Sequence, residues 1–180
     1  MRYSIRLCVN EIMRTLSLLF LMFLGSTQSF AADQFNKMLE RQAAIDKFVH
    51  EAPLFIKDKS LSSLRKLAPL KFEGVDKIPN SHVPGENLEY KTLEFDGLSI
   101  FGLVKKQREL SLNHIIVTDE KWKILEGLNV GINVNRVAQV LGKPTYEYDN
   151  IKEYCGETEC VRFFAKETKI IKVDFIYYSD

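Results

Sequence analysis

The stretch EYKTLEFDGLSIFGLV, from Glu89 to Val104, predicts two antiparallel strands joined by a tight turn. Strand-forming residues lie on both sides of Asp96-Gly97. This dipeptide suits a two-residue primed turn, in which both central residues need positive φ. A third predicted strand runs from Leu110 to Val117, after a charged turn at residues 105–109. We therefore expect an antiparallel sheet in the middle of the chain.

The residues before this hairpin predict two helices. From Asp33 to His50 apolar side chains recur at helical spacing, and Pro53 ends the pattern. Ser60 can accept the free amides of a first helical turn, which indicates a short capped helix. Its apolar residues, spaced three apart, are Leu61, Leu64 and Leu67. The segment from Phe72 to Asn87 has two prolines, two glycines and no clear period, so we expect a long loop or an irregular edge.

A similar order of elements follows in the last third of the chain. Asn133 can cap a helix that ends at Gly142, with Pro144 just beyond. Predicted strands then cover Tyr146–Cys155, Cys160–Ala165 and Ile170–Tyr178. The matching stretches are residues 60–67 with 133–140, 89–90 with 147–148, and 110–119 with 171–180. The chain is thus predicted to be α+β: an N-terminal helix and two tandem helix-plus-antiparallel-sheet units, residues 32–119 and 120–180.

The stretch ILEGLNVGINVNRVAQVLGKP, from Ile124 to Pro144, resembles a known pattern of a glycine-ended strand, a short helix and Leu-Gly-x-Pro. It is similar to the β-lactamase-inhibitor-protein-like fold, shared with the small lipoprotein of the outer-membrane β-barrel assembly machine. The resemblance is best over residues 124–178. It implies short helices in front of an antiparallel sheet, and the inhibitor itself is a tandem duplication. Two departures are the missing anchoring cysteine of the lipoprotein and Leu67-Ala-Pro69 in place of Leu-Gly-x-Pro.

The first 31 residues have the order of a secretory signal peptide: arginines, an apolar run from Leu16 to Leu24, then small and polar residues. We place the cleavage after Ala31, and Met13 offers an alternative start with the same product. The apolar run is shorter than the roughly 18 residues that a membrane-spanning helix needs. No cysteine follows it for a lipid anchor. We therefore expect a soluble periplasmic protein without an integral membrane span.

The charge and the cysteine content of the chain limit the kinds of partner and ligand that we expect. The chain after residue 31 has 22 basic and 23 acidic residues, because three arginines and Glu11 leave with the signal. Nucleic-acid binding depends on phosphate neutralisation, so this balance disfavours it. Cys155 and Cys160 remain, and in an oxidising compartment they predict a disulfide across a hairpin. A metal or redox pair is the alternative, but further ligands and the usual two-residue spacing are missing.

No catalytic, metal-binding or cofactor motif stands out. His50, His82 and His114 show no metal-ligand spacing. No Gly-x-Ser-x-Gly elbow is present, and Gly127 and Gly131 lack the third glycine and the lysine of a phosphate loop. We therefore predict no cofactor, no metal and no catalytic residue.

The last third of the chain is rich in aromatic residues, eight of them between Tyr146 and Tyr178. Alternation along the last predicted strand gives a core face and a wetted face. The core set is Ile171, Val173, Phe175 and Tyr177, and the wetted set is Ile170, Lys172, Asp174, Ile176 and Tyr178. Tyrosine suits a partner surface, because its large rigid ring carries a hydroxyl at the edge. The candidate partner-binding residues are Tyr146, Tyr148, Tyr154, Lys172, Asp174 and Tyr178.

These observations favour an exported protein-binding module, with an inhibitor or an immunity protein as the leading hypothesis. Its partner would be another protein of the periplasm or envelope, blocked by occlusion. The alternatives are an envelope assembly or structural factor, and an enzyme with an unrecognised site.

Overall fold

The computed structural model describes residues 32–80, 83–105 and 108–178. Contacts divide the chain into two compact units, Met1–Arg41 and Gln42–Asp180. The predicted signal segment and His82 lie outside the described residues. In the part of the chain that is described, no helix has the length and apolar character needed to cross a membrane.

A long helix, α1, covers residues 32–51, in agreement with the predicted N-terminal helix. Its residues in the first unit expose their large apolar side chains, which are Phe35, Met38 and Leu39. Its residues in the second unit bury Ile45, Phe48 and Val49. The predicted helical spacing is therefore correct over the whole segment, but only the second half shows the expected burial.

Two short helices follow, α2 at Leu61–Leu64 and α3 at Asn135–Leu141. Ser60 caps α2 as predicted, because its Oγ accepts a hydrogen bond from the Ser63 amide at 3.3 Å. Before α3, Asn133 Oδ1 accepts from the Asn135 amide at 2.9 Å. Gly142 ends α3 with a φ of 76°, a conformation that costs glycine little.

Within the described residues, eight strands form one sheet. They are β1 Phe72–Pro79, β2 Asn87–Phe95, β3 Leu98–Val104, β4 Leu110–Val117, β5 Tyr146–Tyr148, β6 Ile151–Cys155, β7 Glu159–Lys166 and β8 Lys169–Tyr177. The order across the sheet is β1-β2-β3-β4-β8-β7-β6-β5, and all neighbours are antiparallel. Two four-stranded meanders, β1–β4 and β5–β8, therefore meet where β4 pairs with β8.

One face of the sheet carries the core. Residues 42–51, α2 and α3 contribute apolar side chains to a buried cluster with Leu93, Ile100, Ile115, Val161 and Phe175. We call this face the helix side. Side chains alternate along each strand, so the intervening residues point to the opposite face, which we call the open face.

The α+β class is confirmed, but the strands differ from the prediction. The segment predicted as a loop or irregular edge contains β1, the edge strand of the sheet. The predicted strand from Tyr146 to Cys155 is two strands, because Asp149 and Asn150 form a turn in which Asp149 has a φ of 35°. Each meander thus has four strands and not three, and the tandem duplication itself stays a prediction.

Two local predictions were wrong. In the turn between β2 and β3 only Gly97 has a positive φ, at 68°, whereas Asp96 does not. On β8, Ile170 is buried at 1% exposure, while Ile171 is 49% exposed. A register irregularity between Phe164 and Ala165 on the paired strand β7 interrupts the alternation at this point.

Candidate partner-binding surface

Five side chains form a continuous polar row across the open face, one from each of β5, β6, β7, β8 and β4. They are Tyr148, Glu153, Arg162, Asp174 and His114. Tyr148 Oη donates to Glu153 Oε2 at 2.6 Å, and Arg162 Nη2 donates to Glu153 Oε1 at 3.0 Å. Asp174 lies opposite Arg162 in the β7–β8 register, and its Oδ1 is 3.2 Å from His114 Nδ1. We call this set the polar row.

The two carboxylates of the polar row are buried. Glu153 is 4% exposed and Asp174 is 8% exposed. Buried charge is costly unless it is paired, and here Arg162 provides the cation. The hydrogen bond to Glu153 raises the pKa of Arg162, and a hydrogen bond to the same carboxylate raises the pKa of the Tyr148 hydroxyl. These hydrogen bonds therefore hold the Glu153 carboxylate, the Arg162 guanidinium and the Tyr148 hydroxyl in fixed places.

Aromatic rings lie within and beside the polar row. Tyr146 is 57% exposed and Tyr148 is 49% exposed, both on β5. Tyr146 pairs with Glu153 and therefore points to the same face. The ammonium group of Lys172 lies 3.5 Å from the ring centroid of Phe164, a cation–π contact. This part of the open face thus offers rings and charges together.

The other end of the open face is apolar. Phe72 and Ile78 on β1 and Leu88 on β2 expose 52%, 44% and 36% of their side chains. Phe72 pairs with Glu94, and Ile78 pairs with Leu88. Glu94 lies between the buried residues Leu93 and Phe95 along β2, so these side chains point away from the helix side. This region was not among the predicted partner-binding residues, because the segment containing β1 was predicted as a long loop or an irregular edge.

The structure separates the six candidate residues. Tyr146, Tyr148, Lys172 and Asp174 belong to the open face around the polar row. Tyr154 does not, because it is completely buried in the core cluster, packs against Phe163 and donates to the Gly142 carbonyl at 3.2 Å. Alternation explains this placement, since Tyr154 follows Glu153 directly and must point to the helix side.

Tyr178 lies beside the disulfide hairpin. Its Oη is 3.9 Å from Cys160 Sγ, and its side chain is 61% exposed. Cys155 and Cys160 are bonded to each other, as predicted. Glu153 Oε1 lies 3.6 Å from Cys155 Sγ, but a disulfide offers no thiolate, which is the form that binds metals. This cluster therefore acts as a clamp on the hairpin.

Asp46 of α1 holds the same hairpin from the helix side. Its carboxylate accepts hydrogen bonds from the amides of Glu157, Thr158 and Glu159 at 2.8, 3.2 and 2.9 Å. A Cβ atom on Gly156 would collide with this carboxylate. Glycine at position 156 therefore lets the helix approach the hairpin backbone.

Next to this contact lie two cavities of about 330 and 240 Å³. His50, Lys59, Leu112 and Tyr177 line both. Glu159 lines the smaller one, with its Oε1 3.8 Å from His50 Nδ1, and its Oε2 is buried without a hydrogen bond from the described residues. Burial, and then the charge of Asp46, raise the pKa of Glu159 to about 7.

The comparisons with known proteins add little. No protein-family model and no curated protein match the chain. Among solved structures, it is similar to the uncharacterized protein YfeY from Escherichia coli, with 11% identity and a TM-score of 0.38. The match covers 67% of this chain and 90% of YfeY. A likeness at this level carries no argument, so the resemblance to the β-lactamase-inhibitor-protein-like fold stays a prediction.

Proposed function

We propose that the protein is a periplasmic protein-binding module that docks a partner on its open face. The observation that carries this proposal is the open face itself, which presents exposed aromatic and apolar side chains. Exposed apolar patches are interaction sites more often than other parts of a protein surface are. An inhibitor or immunity protein would use such a face by covering the active region of its partner.

The chemistry of the open face suits a protein partner. Tyr146 and Tyr148 offer large contact areas, and tyrosine is common among the residues that dominate binding energy. The polar row is held by its own hydrogen bonds, so the surface needs little ordering on binding. An eight-stranded sheet gives these groups a rigid support.

The proposed compartment rests on two observations. The disulfide between Cys155 and Cys160 fits an oxidising environment, and the first 31 residues have the order of an export signal. We also propose that the two meanders arose by duplication, since each follows a short helix and each has four antiparallel strands.

The test uses a matched pair of variants. In Tyr146→Ala/Tyr148→Ala the open face loses its two exposed rings. In the control, Leu54→Ala, an equally exposed apolar side chain is removed from the cavity rim on the helix side. A partner captured from envelope extract by cross-linking is identified, and its affinity for each variant is measured by calorimetry. We expect the tyrosine variant to bind at least about thirtyfold more weakly, because a dominant interface residue contributes about 2 kcal/mol.

The identity and response of the partner separate the classes. An enzyme or toxin whose activity falls in proportion to the bound protein supports the inhibitor class. A resident envelope complex supports the assembly alternative. Binding that survives in the tyrosine variant but is lost in Leu54→Ala contradicts docking on the open face.

A further inference from the structure

The free edge of β1 is the starting point for a second interaction surface. Of the described strands only β2 pairs with β1, over the full length Phe72–Pro79. At the opposite end of the sheet the terminal strand β5 has only three residues. An exposed edge of eight residues is a template on which another strand can pair.

The backbone groups at this edge can be assigned. The Asn80 amide donates to the Glu86 carbonyl at 2.9 Å, directly beyond the pair Pro79 and Asn87. Hydrogen-bonded pairs alternate along an antiparallel ladder, so the even-numbered residues of β1 bond to β2. The odd-numbered residues, Glu73, Val75 and Lys77, then direct their amides and carbonyls outward. Pro79, which has no amide to offer, also falls at an outward position, where proline is tolerated.

We propose that a second copy of this chain pairs with this edge, β1 against β1 and antiparallel, with Val75 opposite Val75 of the second copy. The β1 edge is complementary to itself. A twofold axis perpendicular to the sheet keeps the two faces in register, so odd residues meet odd residues and even residues meet even ones. Only two such registers keep seven of the eight β1 residues paired, one centred on Val75 and the other on Asp76.

Charge and apolar contacts separate these two registers. Centred on Val75, the pairing puts Glu73 opposite Lys77 of the second copy, and Phe72 opposite Ile78. It also places Asp76 opposite Gly74, which has no side chain that could repel or crowd the aspartate. Centred on Asp76, it puts two aspartates directly opposite each other, which is unfavourable. On the helix side the Val75 register therefore pairs opposite charges and places Val75, now 49% exposed, against its own counterpart. On the open face it brings together Phe72 and Ile78 of the two copies, which are now 52% and 44% exposed.

This inference goes beyond the proposed function, because it needs no foreign partner. It would join two eight-stranded sheets along their β1 edges and make their open faces continuous. If the protein binds no foreign partner, the proposed dimer is not contradicted. If the protein is a monomer, it can still bind a foreign partner on its open face.

The first test is the mass of the purified protein by light scattering over a wide range of concentration, beside Val75→Pro. The outward amide of Val75 makes no hydrogen bond to β2. This variant therefore keeps the hydrogen bonds between β1 and β2 and loses only a donor at the free edge. We expect the wild type to be a dimer and Val75→Pro to be a monomer with a similar thermal midpoint. A monomeric wild type, or a Val75→Pro variant that stays dimeric, overturns the proposal.

The second test reads the register by cysteine cross-linking in a Cys8→Ser background. Val75→Cys places two Cα atoms about 5.5 Å apart, within the range of a disulfide. Lys77→Cys is the control, since it points to the same face but lies four residues from its own counterpart. We expect a disulfide-linked dimer from Val75→Cys and none from Lys77→Cys. Cross-linking through Lys77→Cys or Asp76→Cys in place of Val75→Cys overturns the register.

Discussion

At the scale of single residues, Glu159 shows how burial changes an ordinary carboxyl group. It begins β7, its side chain is 18% exposed, and one of its oxygens is buried without a hydrogen bond from the described residues. Asp46 adds a nearby negative charge, while Lys59 opposes the effect. The result is a pKa of about 7, so this group titrates near neutrality.

This shift predicts a pH dependence of stability. The folded-state pKa of Glu159 lies above the ordinary value of 4.5 for a glutamate side chain, so the folded protein holds this proton more tightly than the unfolded chain does. The stabilisation is complete below pH 4.5 and is lost as the pH rises through 7. Solvent screening reduces its size, and we expect on the order of 1 kcal/mol. Thermal midpoints between pH 5 and 8 would fall with rising pH in the wild type, and this fall would be smaller in Glu159→Gln.

Two other carboxyl groups have strongly shifted pKa values, but both shifts lie well below this pH range. Glu73, held by Arg65 and Lys91, and Asp96, held by Lys121 and Lys71, have pKa values lowered to about 2. Their contributions are present above the unfolded pKa values and are lost only as the pH falls toward 2. An equal slope in wild type and Glu159→Gln would show that Glu159 is not the group responsible.

Residue contacts across strands lay beyond what the sequence could predict. Alternation along the last strand puts Asp174 on the wetted face, but His114 is 60 positions away in sequence. Their contact depends on β4 pairing with β8, and nothing in either strand specifies that partner. The contact between Glu153 and Arg162 depends in the same way on the register of one hairpin.

At the scale of elements, the contact between α1 and the β6–β7 hairpin depends on one side chain. Asp46 accepts three backbone amides of the loop that the disulfide closes. Hydrogen bonds to a charged acceptor are stronger than neutral ones. We therefore regard this contact, and not the disulfide alone, as what fixes the hairpin against the helix.

Removal of the Asp46 carboxylate should loosen this contact. We expect Asp46→Ala to lower the free energy of unfolding by about 1–3 kcal/mol, measured by urea denaturation. Glu51→Ala, an exposed acid on the same helix, is the control and should change it little. Gly156→Ala should also destabilise, and the two changes together should cost less than their sum, because both disrupt one contact. Full additivity would contradict the role given to Asp46.

The elements also show why some strands were predictable and one was not. In β2, β3 and β4 one face is buried, so apolar and polar residues alternate and the pattern is visible. In β1 the apolar residues Phe72, Val75 and Ile78 are three apart, and most of the strand is exposed. An edge strand with no buried face has no reason to alternate, and Gly74 and Pro79 add turn-like signals.

At the scale of the whole molecule, the two meanders share one core. They join where residues 114–117 of β4 pair with residues 173–176 of β8. On the helix side of this join, Ile115 lies opposite Phe175 and Val117 opposite Val173, all without solvent exposure. One buried cluster contains residues from both meanders and from α2 and α3. We infer that residues 42–178 unfold as one cooperative unit, even if the meanders arose by duplication.

This inference is tested by Ile115→Ala at the join. Truncation of a fully buried isoleucine should lower the free energy of unfolding by about 2–5 kcal/mol. Ile116→Ala, its half-buried neighbour on the open face, should cost less. The single tryptophan, Trp122, packs against Phe95 and so reports on the first meander, while hydrogen exchange of the β6 and β7 amides reports on the second. If the core is shared, both probes shift by the same free energy in Ile115→Ala. A shift seen by Trp122 alone would mean that the meanders are stable independently and that the β4–β8 ladder only tethers them.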